Sequence, residues 1–197
     1  MRVVGGRWRG RRLTAPAGRA TRPTSDRVRE AVFDVLTAAR LRAAGAGDET
    51  SGAPLAGLSA LDLFAGSGAL GIEALSRGAA ACVFVERAAG ALRALWANLA
   101  ALDVAEAVAE VRAVDYRRAL EADLATARRY NLVLVDAPYA LYPAVEAELA
   151  QRLPGVLFPE AVVAVETGKG QSVRLPLTEL CVRHYGDTRV TFLQARS

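Results

Sequence analysis

The chain of 197 residues has few of the side chains that build metal or redox centres. It contains one histidine, one methionine and two cysteines, and the cysteines, Cys82 and Cys181, lie far apart without a Cys-x-x-Cys spacing. We therefore expect ordinary, largely buried thiols and no bound metal. No apolar run reaches the roughly 18 residues of a membrane span, and Met1 is followed by arginine and glycine rather than an apolar signal core. These absences predict a cytoplasmic protein without a membrane partner.

Lysine is nearly absent too, and the arginines that carry the positive charge are concentrated at one end. Residues 1–30 hold nine arginines against two acidic residues, a net charge of +7, whereas the whole chain carries +4. Arginine interleaved with glycine, proline and Trp8 suits phosphate contact and base stacking. A solvated surface, or the arginine preference of a GC-rich genome, is the alternative. Because the clustering is local, we favour a nucleic-acid partner.

From residue 58 onward, strand-like runs alternate with helical segments. The predicted strands are 58–64, 81–86, 110–115, 131–136, 161–166, 180–185 and 189–195, and the predicted helices are 69–78, 88–102, 116–128 and 143–153. Repeated strand-helix units predict a mostly parallel sheet with helices on both faces. The last two strands are too close for a parallel crossover and should form an antiparallel hairpin. This α/β pattern, a Rossmann-like seven-stranded sheet ending in a hairpin, is typical of class I methyltransferases, which is a likeness of fold alone.

Three segments are predicted along the chain. Residues 1–42 form a basic N-terminal extension, a short strand or hairpin followed by a helix that packs on the main domain. The helix should begin after Pro23, where hydroxyl and acidic side chains can cap exposed amides. Residues 43–57, rich in small and polar residues, are expected to form a flexible surface loop. Residues 58–197 form the main domain.

A glycine-rich turn follows the first strand of that domain. Gly66, Gly68 and Gly71 spell G-x-G-x-x-G between a strand and a helix, so backbone can approach a ligand closely there. The pattern alone also fits a dinucleotide, whose pyrophosphate would lie on the helix N-terminus. Asp62, four residues before Gly66, would repel a pyrophosphate but attract the ammonium group of S-adenosylmethionine. We therefore favour S-adenosylmethionine over NAD as the cofactor.

Acidic residues at the ends of the next two strands complete this predicted cofactor site. Glu86 is placed to accept hydrogen bonds from both ribose hydroxyls, and Asp115 to receive the adenine amine. Tyr116 is a candidate cover for the adenine or a surface aromatic, while strand-end or helix capping is the alternative for Asp62 and Glu86. The predicted cofactor-binding residues are Asp62, Phe64, Ala65, Gly66, Ser67, Gly68, Glu86, Arg87, Asp115 and Tyr116.

The predicted catalytic residues, Asp136, Ala137, Pro138 and Tyr139, follow a buried parallel strand. The carboxyl end of that strand lies beside the cofactor crevice in a doubly wound sheet. These residues suit methylation of an exocyclic amine on a nucleic-acid base. Such an amine is a poor nucleophile, because its lone pair is delocalised into the ring. The Asp136 carboxylate and the Ala137 carbonyl can accept its N–H groups and stabilise the developing positive charge. Pro138 stiffens the turn, and Tyr139 offers a ring on which an extruded base can stack.

At these residues the chain resembles the RsmD-type 16S rRNA guanine-N2 methyltransferases. The likeness is carried by Val4-Gly5-Gly6-Arg7-Trp8-Arg9-Gly10-Arg11, by Arg22-Pro23-Thr24-Ser25-Asp26-Arg27-Val28-Arg29-Glu30, by Leu61 to Ala79, and by Tyr185-Gly186-Asp187-Thr188. The second string is the most specific, whereas the glycine turn is shared by methyltransferases generally. One departure is Ala137, where the family has proline; the carbonyl is kept, but a constraint on φ is lost.

The resemblance implies methylation of one guanine N2 in 16S rRNA, within a partly or fully assembled 30S subunit. The predicted RNA-binding residues are arginines of the N-terminal segment, namely Arg7, Arg9, Arg11, Arg22, Arg27 and Arg29. For Arg22, Arg27 and Arg29 two roles are open, contact with rRNA phosphate or a place in the lining of the target pocket. DNA adenine-N6 and protein glutamine-N5 methyltransferases are rivals, since related tetrapeptides serve both. A non-catalytic RNA-binding assembly factor is a rival from another class, because it would explain both the arginines and the altered tetrapeptide.

Overall fold

A seven-stranded sheet forms the centre of the protein, as seen in a computed structural model that describes residues 1–16, 25–44 and 53–196. The strand order is β3-β2-β1-β4-β5-β7-β6. The strands are β1 (Ser59–Asp62), β2 (Ala81–Val85), β3 (Ala109–Arg112), β4 (Tyr130–Val135), β5 (Leu157–Gly168), β6 (Thr178–Tyr185) and β7 (Thr188–Gln194). Strands β1 to β5 pair in parallel, and β7 pairs antiparallel with β5 and β6. The predicted mostly parallel sheet with a terminal hairpin is confirmed.

Helices cover both faces of this sheet. They are α1 (Asp26–Ala44), α2 (Ala69–Ser76), α3 (Ala89–Ala101), α4 (Tyr116–Ala125) and α5 (Tyr142–Arg152). Successive strand residues point to opposite faces, so Phe84 and Leu134 join the core under α1, α2 and α3, whereas Val83 and Val133 join the core under α4 and α5. Burial of both faces explains why the strands are almost continuously apolar.

The order in which strands are added to the sheet reverses between β1 and β4, although these two strands are parallel. After β1 the chain moves outward through β2 and β3, and it then returns to place β4 on the other side of β1. Asp62 of β1 pairs in register with Leu134 of β4, and Leu63 N–H donates to the Leu134 carbonyl at 3.0 Å. Open parallel sheets bind ligands at such a switch point, beyond the carboxyl ends of the strands. The glycine turn after β1 and the acidic turn after β4 therefore lie side by side.

Residues 1–14, called the arm below, form a hairpin-like segment docked on the main domain. Arg2 and Arg12 form an isolated antiparallel bridge, and Gly6–Trp8 forms a 3-10 turn between them. Val3 and Leu13 are buried in the core shared with α1, α2 and α3. Burial of these two apolar side chains anchors the two sides of the arm.

The predicted loop at 43–57 is corrected at both ends. Helix α1 continues to Ala44 and so includes the first two residues of the expected loop. Leu55 is only 1% exposed, and its N–H donates to the Arg77 carbonyl at 3.2 Å. Burial of the apolar Leu55 side chain lowers the free energy of the folded protein relative to an exposed position. This end of the segment therefore packs on the domain. Residues 45–52, to which the rest of that prediction applies, lie outside the described residues.

Candidate active site

The glycine turn between β1 and α2 is shaped by close packing against α3. Gly68 has a φ of +83°, a left-handed backbone conformation that residues other than glycine rarely adopt. A Cβ at this position would lie 2.4 Å from Leu95 Cδ1 on α3. Ala65, in the same turn, donates its N–H to the Val85 carbonyl at 3.0 Å. The turn is therefore fixed to β2 and α3 and presents backbone at the carboxyl end of the sheet.

Asp62 lies beneath this turn with its side chain buried. Its Oδ2 accepts a hydrogen bond from Gly71 N–H at 2.9 Å, while Oδ1 has no hydrogen-bond partner in the part of the chain that the structure describes. Burial raises the pKa of Asp62 to about 7, the Gly71 hydrogen bond opposes the rise, and the negative charge of Glu86 adds to it. Asp62 thus braces the turn, the capping role considered from sequence. One unsatisfied oxygen remains for a cationic partner.

Glu86 ends β2 and holds the same turn from the other side. Its Oε2 accepts a hydrogen bond from Gly66 N–H at 2.9 Å. Its Oε1 accepts the N–H groups of Arg87 and Ala88, each at 2.7 Å. Both carboxylate oxygens are therefore engaged with backbone, and the bidentate contact with ribose that the sequence suggested stays a prediction.

Asp115 and Tyr116 follow β3, next to Glu86 along the sheet, and the Phe64 ring from the turn after β1 lies beside Tyr116. Asp115 caps α4 by accepting Arg117 N–H at 3.0 Å, and its Oδ2 lies 3.2 Å from Arg87 Nη1. The rings of Phe64 and Tyr116 are 5.0 Å apart between centroids. Tyr116 is buried, which raises the pKa of its hydroxyl. The two rings are tilted by 43° to each other. Together they form an apolar surface bordered by carboxylates, a setting suited to a nucleoside.

The acidic turn begins directly after β4. Asp136 is half-buried, Ala137 is 1% exposed and Pro138 is exposed. The Pro138 carbonyl accepts Leu141 N–H at 2.8 Å, which closes the turn before α5. The Asp136 carboxylate lies close enough to Tyr139 for its charge to raise the pKa of the phenol.

Tyr139 is fixed by strands β5 and β7. Its hydroxyl donates to Glu166 Oε1 at 2.9 Å and lies 3.1 Å from Thr188 Oγ1. Its backbone carbonyl accepts Gln171 Nε2 at 2.8 Å, and its ring lies against Gly168, where a Cβ would approach Cδ2 to 3.3 Å. Burial is the main reason that the pKa of Tyr139 is raised to about 12, so the phenol is protonated and donates at neutral pH.

The predicted RNA-contacting arginines fall into two groups. Arg7, Arg9, Arg11 and Arg27 are all exposed. The Arg7 guanidinium stacks over the Trp8 ring at 3.8 Å, and Arg11 Nη2 donates to the Ala101 carbonyl at the end of α3 at 2.6 Å. Arg22 lies outside the described residues.

Arg29 forms the other group, and its predicted contact with RNA is wrong. Its side chain is fully buried and donates to Asp26 Oδ1 at 2.7 Å and to the Arg2 carbonyl. Its Nε lies 3.8 Å from the buried carboxylate of Glu73 on α2. A guanidinium enclosed by these partners ties the arm and α1 to α2 and presents no surface to a phosphate.

The structure adds three polar residues that sequence analysis gave no role, namely Glu166, Thr188 and Asn98. Glu166 and Thr188 hold the Tyr139 hydroxyl, and Asn98 on α3 contacts the glycine turn. Thr188 lies in one of the strings that carry the family resemblance. Glu166 had no sequence signal beyond a carboxylate in an otherwise apolar strand.

The strand order and the two adjoining turns define the fold of class I methyltransferases. An RNA methyltransferase from Salinibacter ruber, solved in complex with S-adenosyl-L-homocysteine, shares this fold at 18% identity with a TM-score of 0.61, covering 89% of this chain and 95% of that one. A hypothetical protein from Thermus thermophilus matches 100% of this chain and 99% of its own at 29% identity, with a TM-score of 0.79.

Within the class I methyltransferases, the amino-acid sequence matches one family. The family described as "Conserved hypothetical protein 95" matches residues 1–194. Ribosomal RNA small subunit methyltransferase D of Escherichia coli (strain K12) is 35% identical over 167 residues, covering 85% of this chain and 74% of that protein. The chain belongs to the RsmD family, that of ribosomal RNA small subunit methyltransferase D.

Among the residues that the structure describes, no three His, Cys, Asp or Glu side chains lie together in a way that could hold a metal ion. No helix within the described ranges is long and apolar enough to cross a membrane.

Proposed function

We propose that the protein transfers a methyl group from S-adenosylmethionine to the exocyclic N2 of one guanine in 16S rRNA. The observation that carries this proposal is the placement of two acceptors, the Asp136 carboxylate and the Ala137 carbonyl, beside the glycine turn at the switch point of the sheet. The E. coli relative is named as a methyltransferase of small-subunit rRNA, which supports rRNA as the substrate.

The residues of the glycine turn fit the proposed cofactor. The buried Oδ1 of Asp62, which has no hydrogen-bond partner among the described residues, offers a negative charge for the ammonium group, either directly or through water. Glu86 and Asp115 place carboxylates near the ends of adjacent strands for the ribose and the adenine amine, and the Phe64 and Tyr116 rings supply an apolar surface. When bound, S-adenosylmethionine supplies an electrophilic methyl group.

The turn after β4 provides the groups that would act on the target amine. Asp136 and the carbonyl of Ala137 would accept its two N–H groups and stabilise the positive charge that develops on nitrogen, an effect worth about 100- to 1000-fold in rate in comparable sites. The face of the Tyr139 ring would stack on the extruded base, at about 1–3 kcal/mol. Alignment of the nitrogen with the methyl group would supply much of the remaining acceleration.

The arginines on the surface of the N-terminal segment support an RNA substrate. Arg7, Arg9, Arg11 and Arg27 give this segment a positive surface, and the stacked Arg7–Trp8 pair combines charge with an aromatic face. The family resemblance extends the substrate to a partly or fully assembled 30S subunit.

Transfer of tritium from labelled S-adenosylmethionine tests the proposal. The acceptor is 30S subunits from a strain that lacks the gene, and the enzymes compared are the wild type and Asp136→Ala. We expect labelled rRNA with the wild type and at least a roughly 100-fold lower rate with D136A, while calorimetry gives both proteins the same affinity for S-adenosylhomocysteine. RNA binding without any transfer by the wild type would instead support a non-catalytic assembly factor.

A further inference from the structure

Asn98 connects the arm to the glycine turn through one buried side chain. It lies on α3, is 2% exposed, and has all of its amide groups engaged. Oδ1 accepts Thr14 N–H at 2.7 Å, and Nδ2 donates to the Thr14 carbonyl at 3.0 Å. The second N–H of Nδ2 donates to the Ser67 carbonyl at 2.9 Å. Thr14 belongs to the arm, and Ser67 lies between Gly66 and Gly68 of the turn.

An asparagine is chemically suited to this position. Its amide offers a donor and an acceptor to the same residue, so it pairs with Thr14 as a neighbouring strand would. Aspartate would keep the hydrogen bond from Thr14 N–H but would place a negative oxygen against the carbonyls of Thr14 and Ser67. Alanine would leave the Thr14 N–H, the Thr14 carbonyl and the Ser67 carbonyl without these partners. The hydrogen bond to Ser67 is buried and the two to Thr14 are partly buried, and a buried polar group that loses its partner costs about 1–3 kcal/mol.

Asn98 is also one of three side chains that brace the glycine turn. Glu86 holds Gly66 N–H and Asp62 holds Gly71 N–H, both from the strands. Asn98 holds the middle of the turn from α3, next to the close contact between Gly68 and Leu95. Among these three braces, the hydrogen bonds between Asn98 and Thr14 are the ones that reach the arm.

We infer that Asn98 is a positioning residue that couples RNA binding at the arm to cofactor binding at the glycine turn. This inference rests on the proposed function, because it takes S-adenosylmethionine and rRNA as the two ligands. RNA bound at the arm would order Thr14, and through the Asn98 amide it would also order Ser67. The cofactor bound at the glycine turn would order the same residues from the other side. Each ligand therefore reduces the loss of conformational entropy that accompanies binding of the other. The coupling is reciprocal, as linkage between two binding equilibria requires.

Calorimetry of S-adenosylhomocysteine, with and without saturating 16S rRNA, measures this coupling. In the wild type we expect RNA to tighten S-adenosylhomocysteine binding by at least about fivefold, and S-adenosylhomocysteine to tighten RNA binding by the same factor. In Asn98→Ala and Asn98→Asp the affinity for S-adenosylhomocysteine without RNA should fall by about fivefold or more, and the coupling factor should approach about 1.

Ser76→Ala is the matched control. Ser76 holds the other part of the arm: its Oγ accepts Trp8 N–H at 3.0 Å and donates to the Gly5 carbonyl at 2.6 Å. This variant should weaken RNA binding yet keep the affinity for S-adenosylhomocysteine and the coupling factor of the wild type. A variant that loses only arm contacts thus separates coupling from general damage to the arm.

Three outcomes overturn the inference. They are the absence of coupling in the wild type, full coupling in both folded Asn98 variants, or loss of coupling in S76A equal to that in N98A. Circular dichroism shows which variants are folded, and N98D retains one hydrogen bond if N98A is too unstable. Failure of the wild type to bind S-adenosylhomocysteine at all would contradict the proposed function instead.

Discussion

The Tyr139 hydroxyl donates a hydrogen bond to Glu166 at 2.9 Å, which ties the turn after β4 to the neighbouring strand β5. Because that proton is given to a carboxylate, Thr188 on β7 donates in turn to the phenol oxygen, 3.1 Å away. Both of these hydrogen bonds of the hydroxyl are therefore made within the protein. In the proposed reaction, the ring and not the hydroxyl of Tyr139 would contact the base.

Removing this anchor should slow the reaction without affecting the cofactor. Tyr139→Phe keeps the ring but loses two hydrogen bonds, each worth about 0.5–1.5 kcal/mol, so kcat should fall by roughly 5- to 150-fold. The affinity for S-adenosylhomocysteine should stay unchanged. Tyr142→Phe is the control, since Tyr142 is a buried tyrosine on α5 whose hydroxyl donates to Glu146. A kcat for Y139F equal to that of Y142F would show that the anchor does not position the ring.

Thr188→Val should reproduce part of this loss. The substitution keeps the shape of the side chain and removes the single hydrogen bond to Tyr139, so kcat should fall by roughly 2- to 10-fold. In a Tyr139→Phe background the same substitution should have little further effect, because its partner is already absent. Equal effects of T188V in both backgrounds, measured as kcat, would mean that Thr188 acts independently of Tyr139.

The stability of the protein should depend on the ionisation of Asp62. The pKa of Asp62 is raised to about 7 in the folded protein from a usual value of 3.8, so the folded state binds this proton more tightly than the unfolded chain. Asp62 therefore lowers stability progressively as pH rises from about 4 to 7. Asp62→Asn keeps an acceptor for Gly71 N–H and carries no charge. Urea unfolding should show D62N gaining roughly 4 kcal/mol relative to wild type between about pH 4 and pH 8.

Ligand binding should show the opposite dependence on pH. If the ionised Asp62 attracts the ammonium group, the wild-type affinity for S-adenosylhomocysteine should fall as pH drops below about 7. The D62N protein should bind weakly at acidic and at mildly alkaline pH alike. A wild-type affinity that is the same under both conditions would remove Asp62 from the ammonium site and leave it with the bracing role alone.

Arg29 and Arg27 lie two residues apart and should behave differently. Arg29→Met leaves the buried Glu73 carboxylate with one fewer cationic partner, which should cost about 3–5 kcal/mol of unfolding free energy. Arg27→Ala removes a side chain that is not buried and should change stability by less than about 0.5 kcal/mol while weakening RNA binding. Denaturant unfolding and filter binding of 16S rRNA measure the two effects. Equal stability of the two variants would contradict the structural role of Arg29.

The two turns of the active site could be predicted from sequence because each is a short, continuous string after an apolar strand. Gly66 to Gly71 and Asp136 to Tyr139 need no distant residue to be recognised. Their neighbours could not be predicted in the same way. Glu166 is 27 residues from Tyr139, and Asn98 is 84 residues from Thr14, so only the folded sheet and helices bring them together.

The role of Arg29 shows a different limit. In a basic segment, composition does not distinguish a buried arginine from the exposed ones around it. The available signal was Glu73, a carboxylate inside the otherwise apolar helix α2, because a glutamate is almost never fully buried without a partner. That signal indicates a buried cation but does not identify which arginine supplies it.

The identity of the methylated nucleoside tests the central claim most directly. Small-subunit rRNA labelled by the wild-type protein is digested to nucleosides and analysed by mass spectrometry, with D136A as the control. We predict one labelled product, N2-methylguanosine, which is absent with D136A. Label in N6-methyladenosine, or in a glutamine of ribosomal protein, would contradict the account.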